Sequence, residues 1–574
     1  MAIPFLASLL VAMRMGRGPS ASLADAARPG FVMRDETAAA GIDFVHQRPS
    51  FDPKLAAVEP HVAALGASVS VTDFDGDGNA DLYFTSSRFG RPNALYRNRG
   101  DGTFADVAAS VGLANLNRPG EGVSMGAVWG DFDNDSREDV LVYRYGYLAL
   151  FRNVDGRRFD DVTAQSGLRR WVNSNGAIWL DYDRDGLLDV YVTAYFRDVD
   201  LWRLTTTRIM HNSFEFATNG GGNLLFRNLG GGRFEDVTDQ MGVGSTRWTL
   251  AAASADFNDD GWADIYLAND YGPEELYLND RGRRFTLTTA GLESESKSGM
   301  SVTLGDAFNR GRLDTFVTNI SERGYLFQNN NLRLNQIRET GRFRNVAEGA
   351  LADAGWAWGA QFGDLNNDGV NELFVANGFI SADRTKSYWY SMSKIAGANS
   401  RFFEDAATWP PFGNASLSGY EPSRVYLSRG VAGWVDVAKN VGVTDLYDGR
   451  AVALADLSNR GALDVIVANQ NQPALLYRSY PDSNNHWIAF KLVGTRSNRS
   501  AIGTEVILES GDLKQRRIID GGSGFASQND RRLHFGLGQR EWIDRVVIRW
   551  PSGRRQVLQR PGIDRFVTVA EPDR

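Results

Sequence analysis

Asp181-Tyr182-Asp183-Arg184-Asp185-Gly186-Leu187-Leu188-Asp189-Val190-Tyr191-Val192-Thr193 is the stretch that decides how this chain is read. Carboxylates stand at positions 1, 3, 5 and 9 of a nonapeptide, with glycine at position 6, and the segment then runs into alternating residues. Asp, Asn and Gly favour tight turns, and alternation marks a strand, so the segment reads as a turn feeding a strand. The nonapeptide also starts at Asp73, Asp131, Asp256, Asp306, Asp364 and Asp456. Successive starts lie 58, 50, 75, 50, 58 and 92 residues apart.

Two further patterns keep step with it. An aromatic residue followed by a short acidic-apolar run begins at Phe104, Phe159, Phe234 and Trp434, with weaker copies at Phe31, Phe285 and Phe343. An apolar-aromatic pair occurs at Leu95-Tyr96, Leu150-Phe151, Leu225-Phe226, Leu276-Tyr277, Leu326-Phe327, Val425-Tyr426 and Leu476-Tyr477. In the first three copies Arg-Asn follows. Seven in-phase copies of a strand-turn-strand unit predict an all-β fold, a seven-bladed β-propeller over residues 30–480. Closing the ring protects most sheet edges. Nothing of period 3.6 runs far enough for stacked helices.

The loops carry the chemistry. Five of them place oxygens at positions 1, 3, 5 and 9, with a carbonyl available at position 7. The first offers Asp73, Asp75, Asp77, Asn79 and Asp81; the second Asp131, Asp133, Asp135, Arg137 and Asp139; the third Asp181, Asp183, Asp185, Leu187 and Asp189. The fourth offers Asp256, Asn258, Asp260, Trp262 and Asp264; the sixth Asp364, Asn366, Asp368, Val370 and Glu372. A flexible all-oxygen cage suits Ca2+ better than Mg2+ or Zn2+. The last ligand falls at position 9, not 12, so these are not EF-hands. Eighteen carboxylates fill the ligand positions, and the net charge of −8 would be +10 without them. About five Ca2+ are therefore expected. The loops at Asp306 and Asp456 have Arg310 and Arg460 at position 5. A guanidinium bridging positions 1 and 9 would replace the metal there.

Residues 484–572 hold about six alternating segments: 486–493, 502–509, 514–519, 531–537, 544–550 and 563–569. They predict a small β-sandwich-like domain. The acidic loops resemble the FG-GAP/VCBS repeats of integrin α-like propellers. Leu492-Val493-Gly494-Thr495-Arg496, Gly521-Gly522-Ser523-Gly524-Phe525 and His534-Phe535-Gly536-Leu537-Gly538 resemble the ASPIC/UnbV domain. Together they are similar to the cartilage acidic protein family over about residues 30–570. Within it, Asp448-Gly449-Arg450 and the tail look most like bacterial members encoded in enediyne antibiotic gene clusters. That resemblance implies a part, as enzyme or accessory, in assembling a conjugated polyene product.

Composition excludes other classes. With no Cys there is no disulfide frame, zinc–thiolate site or thiol nucleophile. The negative charge argues against nucleic acid as partner. No apolar stretch is long enough to span a bilayer, so any membrane contact is expected to be peripheral. Residues 1–29 contain an apolar run, Pro4 to Met13, and a small-residue site at Ala24-Asp25-Ala26. No basic residue precedes the run, which leaves two readings: an export signal, placing the protein outside the cell or in its envelope, or a disordered start of a cytoplasmic protein. The five histidines show no metal-binding spacing, and no Gly-x-Ser-x-Gly or phosphate-loop motif is present.

Two repeats carry insertions, 195–222 and 378–424, both after the strand that follows an acidic loop. Turns alternate between faces of a blade, so both insertions should crown the face opposite the acidic loops. They are rich in aromatic residues, and either a self-packed cap or an apolar pocket fits that content. His61, Trp202, His211, Trp389 and Trp409 are the candidate ligand-binding residues. The function expected is that of a calcium-stiffened scaffold for a protein partner or apolar small molecule.

Overall fold

The computed structural model describes residues 29–573, apart from 294–295, 398–399, 431–432 and 483; the apolar run and small-residue site at the N-terminus lie outside them. The described residues include seven successive antiparallel sheets with a four-stranded plan. Their first strands are Ser68–Thr72, Gly122–Gly130, Gly176–Leu180, Trp248–Ala255, Val302–Gly305, Ala357–Gly363 and Gly449–Ala455. In every sheet the acidic nonapeptide turns the chain into the second strand, which begins at position 9. First strands of consecutive sheets adjoin, and the seventh adjoins the first. The arrangement is propeller-like. Phe31–Asp35 pairs with Leu475–Pro481, so the seventh sheet holds both ends of the repeat region.

A recurring asparagine ties neighbouring sheets. The side-chain amide of Asn153 donates to Phe74 O at 2.8 Å, Asn228 to Phe132 O at 2.9 Å, Asn279 to Tyr182 O at 2.9 Å and Asn335 to Phe257 O at 2.9 Å. Asn98 reaches Leu457 O at 2.8 Å and so links the first sheet to the seventh. Each bond satisfies a buried carbonyl in the preceding acidic loop, which explains why Asn follows the aromatic pair.

The same bond corrects one expectation. The third strand of the fifth sheet is Asn331–Gln336, carrying Asn335; it is not built on Leu326-Phe327. That pair forms a separate two-residue hairpin with Ser321–Glu322. Both segments have an apolar core, but only Asn335 sits in register to reach Phe257 O.

The tail has two sheets. One orders Leu533–Gly538, His486–Val493 and Arg565–Ala570; the other orders Leu513–Ile518, Glu505–Ser510, Arg545–Arg549 and Arg555–Gln559. The last strand was not among the expected segments, because Arg555 and Gln559 frame its apolar residues with polar ones. Between the sheets, residues 520–530 enter the middle of the ring. Trp179 N donates to Gly521 O at 3.0 Å, Val69 N to Ala526 O at 3.3 Å and Gly524 N to Val302 O at 2.7 Å. Gln528 clasps Trp129, accepting from its N at 2.7 Å and donating to its O at 2.9 Å. Asp530 N donates to Leu454 O at 2.9 Å, and Asn529 Nδ2 to Gln361 Oε1 at 3.0 Å. Phe525 meets Trp358 edge-on with ring centres 5.0 Å apart. The insert thus bonds to the first strands of six sheets, whose inner edges would otherwise present unpaired backbone. A Cβ on Gly521 would lie 1.8 Å from Trp179 O, so no other residue fits there.

Candidate metal loops and the recess opposite them

The second acidic loop shows how the nonapeptide is built. Asp139, at position 9, is fully buried; its carboxylate accepts Phe132 N at 3.2 Å and Asn153 N at 2.7 Å. Asp131, at position 1, accepts the backbone N–H of Asp135 at 3.0 Å and of Ser136 at 2.6 Å. Asp135 takes the N–H of Arg137, two residues on, at 3.1 Å. These bonds wind the turn and aim the carboxylates inward. Carboxylate oxygens of Asp131, Asp133 and Asp139 lie within 4.8 Å of one another, as do those of Asp73, Asp75 and Asp81, and of Asp181, Asp183 and Asp189.

The donor set fits a hard dication. Asp133 Oδ1, Asp183 Oδ1 and Asp364 Oδ1 are buried with no hydrogen-bond partner, and such orphaned oxygens are costly unless a cation meets them. Burial, reinforced by neighbouring carboxylates, pushes Asp81 up to about 8 and Asp139 to about 9. Asp131, Asp181, Asp256 and Asp364 rise to about 7, chiefly through burial. Burial also raises Asp189, Asp264 and Glu372 well above the ordinary carboxylate range. A bound divalent ion would reverse that preference.

The fourth and sixth loops differ. Asn258 Nδ2 faces Asp260 Oδ2 at 3.0 Å, and Asn366 Nδ2 faces Asp368 Oδ2 at 3.1 Å. Metal binding there would require each amide to turn its oxygen inward. The third strands compensate in charge. Where position 3 is Asp, an arginine pairs with it: Arg97 with Asp75 at 2.6 Å, Arg152 with Asp133 at 2.6 Å and Arg227 with Asp183 at 2.7 Å. Where position 3 is Asn, the matching residues are Leu278 and Leu427. Positions 1, 3, 5 and 9 plus this residue therefore carry three net negative charges in all five loops, and in the second Arg137 at position 7 also pairs with Asp135. The expected ligand set missed the third-strand arginines, although Arg after the aromatic pair in the first three copies was a visible signal.

In the fifth and seventh loops Arg310 pairs with Asp314 at 2.5 Å and Arg460 with Asp464 at 3.0 Å. Both guanidiniums meet position 9 and not position 1. Asp306 and Asp456 at position 1 are occupied instead by the backbone N–H groups of positions 5 and 6.

The tail lies over this face. Lys491 Nζ is 3.3 Å from Asp73, Arg499 N donates to Asn134 at 2.9 Å, and Arg184 Nε to Pro551 O at 2.7 Å. Arg516 meets Asp259 at 3.0 Å and donates its N–H to Asp306 at 3.2 Å; Gly536 N reaches Asp364 at 3.1 Å, and Arg532 reaches Asp456 O at 2.8 Å. All seven loops touch the tail. Residues 484–572 contain 15 Lys and Arg against nine Asp and Glu, so a basic domain covers an acidic rim.

Residues 194–223 and 378–423 both join second to third strands, so they lie across the sheets from the acidic turns. They meet over the ring: Met210 N donates to Glu404 O at 3.1 Å and Ala406 N to Thr207 O at 2.9 Å. The segment before the first sheet completes this cap, through Asp52 N to Leu201 O at 2.9 Å and Phe412 N to Ala57 O at 2.8 Å. A recess of about 400 Å³ remains, lined by His61, Phe214, Asp270, Tyr271, Trp356 and Trp389, among others. His61 and Trp389 therefore face it. His211 stacks behind Tyr271 at 3.7 Å, and Trp409 packs behind His61 at 5.5 Å. Trp202 stands elsewhere, against Phe89 at 4.6 Å and Phe51 at 5.5 Å. Asp270 ends the second strand of the fourth sheet, Tyr271 follows it, and Trp356 stands just before the first strand of the sixth; none carries a sequence signal of its own. Burial lowers His61 to about 4 and His211 to about 3, so both are neutral near pH 7.

Two family models match the repeat region and the tail separately. The FG-GAP-like repeat model matches residues 73–142, 131–192, 216–267, 256–317 and 308–375, and the ASPIC and UnbV model matches 494–574. Cartilage acidic protein 1 of Mus musculus is 24% identical over 516 residues, covering 85% of this chain and 71% of the relative. The Homo sapiens protein of that name is 23% identical over 515 residues, covering 85% and 69%. Among solved structures, the rhamnogalacturonan lyase PL11 of Bacillus licheniformis is 12% identical, covers 72% of this chain and 71% of its own, and has a TM-score of 0.34. No described helix is long and apolar enough to cross a membrane. Residues 494–574 belong to the ASPIC and UnbV family, and FG-GAP-like repeats fill much of residues 73–375 ahead of them.

Proposed function

We propose that the chain is a seven-bladed propeller stiffened by calcium, serving as a binding scaffold whose working surface is the cap face. Asp73, Asp131, Asp181, Asp256, Asp364 and their loop partners would hold the ions. Such a site fills where free calcium is plentiful, which favours a secreted or cell-envelope location. The observation that carries the reading is the division of faces. The tail covers the acidic loops and plugs the axis, while the opposite face keeps an aromatic recess of about 400 Å³. Rigid scaffolds commonly present function on such loops.

Replacing Trp409 would test packing alone, since it is 2% exposed. Tyr325, 48% exposed, stacks on Trp389 with ring centres 5.5 Å apart and lines the recess, so it is the better probe. Tyr325→Ser should leave the melting temperature within about 2 °C, as surface changes usually do, yet fail to complement a deletion strain. Asp185→Ala should lower the melting temperature first. Full complementation by Tyr325→Ser would remove the recess from the working surface.

A further inference from the structure

We propose that the recess binds an organic ammonium ion, an apolar body bearing a protonated or quaternary nitrogen, with the charge held between aromatic faces and Asp270. This rests on reading the recess as a binding site. Seven aromatic rings line it, among them Phe214, Phe216, Tyr271, Tyr325, Trp356 and Trp389. Trp356 and Trp389 stand 5.6 Å apart at 45° and form a corner. Aromatic faces carry partial negative charge and attract cations, most strongly where water is excluded.

The polar atoms point the same way. Asp270 is 8% exposed and accepts from Tyr195 Oη at 2.7 Å and from Tyr271 N at 3.0 Å. No Lys or Arg pairs with it among the described residues. Gln328 Oε1 is buried and has no partner. Glu215, the other lining carboxylate, is answered by Lys297 at 2.8 Å. His61 and His211 are neutral, so neither supplies a positive charge. Lys297 is committed to Glu215 and to the face of Phe216, 5.6 Å from its ring centre, which leaves Asp270 without a cationic partner among the described residues. An ionised Asp270 would repel an anion, and a neutral hydrocarbon would leave Gln328 Oε1 without a partner and Asp270 without a counter-charge. Burial pushes Asp270 up to about 7, which an ammonium beside it would reverse.

Calorimetric titration of the full, calcium-loaded chain with choline and with its neutral isostere 3,3-dimethylbutan-1-ol separates the possibilities. Choline should bind about tenfold tighter, the size of a desolvated cation–π contact with a charge partner. Asp270→Asn should erase that preference. Tyr325→Ala, at the exposed mouth, should weaken choline several-fold with an unchanged melting temperature, which keeps the test valid if the buried variant folds poorly. Equal or tighter binding of the alcohol would overturn the ammonium assignment and leave the recess as an apolar site. Choline binding indifferent to both variants would place it elsewhere and overturn the proposal. If neither probe binds, the recess is not a small-molecule site of this class, and the proposal falls with that part of the scaffold reading.

Discussion

Excess chelator should lower the melting temperature of this protein on the order of 10 °C at pH 8. A site held at a hundredfold excess over its dissociation constant adds about 2.7 kcal/mol by mass action, and five loops share the load. The effect should also depend on pH. In the metal-free ring the loop carboxylates are raised, to about 7 for Asp131 and Asp181 and about 8 to 9 for Asp81 and Asp139. A carboxyl raised on folding contributes stability that is fully present below its unfolded value, near 4, and is lost as pH rises through the folded value. The chelated protein should therefore melt lower at pH 9 than at pH 6, while the calcium-loaded protein changes little over that window. Identical melting with and without chelator at both pH values would remove calcium from the account.

Ending the chain at Asp482 should be more damaging still. The tail supplies hydrogen bonds to first strands of six sheets and places Phe525, fully buried, against Trp358. Without it the inner edges and rings such as Trp129 and Trp179 face an open channel. The truncated ring should express as insoluble material or melt without cooperativity, even in calcium. Phe525→Ala in the whole chain, a cavity in a packed centre, should cost about 3–5 kcal/mol. A soluble truncated ring with an unchanged melting temperature would show that the plug is an accessory and the ring self-sufficient.

The repeat and its acidic loops were legible because they depend on local chemistry. Asp and Gly at fixed spacing wind the turn, and alternation marks the strands beside it. The plug was not legible. Residues 520–530 are polar and Gly-rich, and their bonds, through backbone and side chains alike, run to partners far away in the chain, as from Gly521 to Trp179. The displaced third strand of the fifth sheet has the same cause, since two apolar segments compete and a distant carbonyl, that of Phe257, decides. The recess was half legible. The aromatic insertions drew attention to Trp389 and the short roll of histidines to His61, but composition does not say which ring faces inward. Trp202 packs on Phe51 instead, while Asp270 and Trp356 join from the ends of strands that look like any others.

Anomalous diffraction from crystals grown with calcium tests the central claim most directly. Ions should appear in the loops starting at Asp73, Asp131, Asp181, Asp256 and Asp364, with none where Arg310 and Arg460 occupy the turn. Empty Asp131 and Asp181 loops, or an ion beside Arg310 or Arg460, would contradict it.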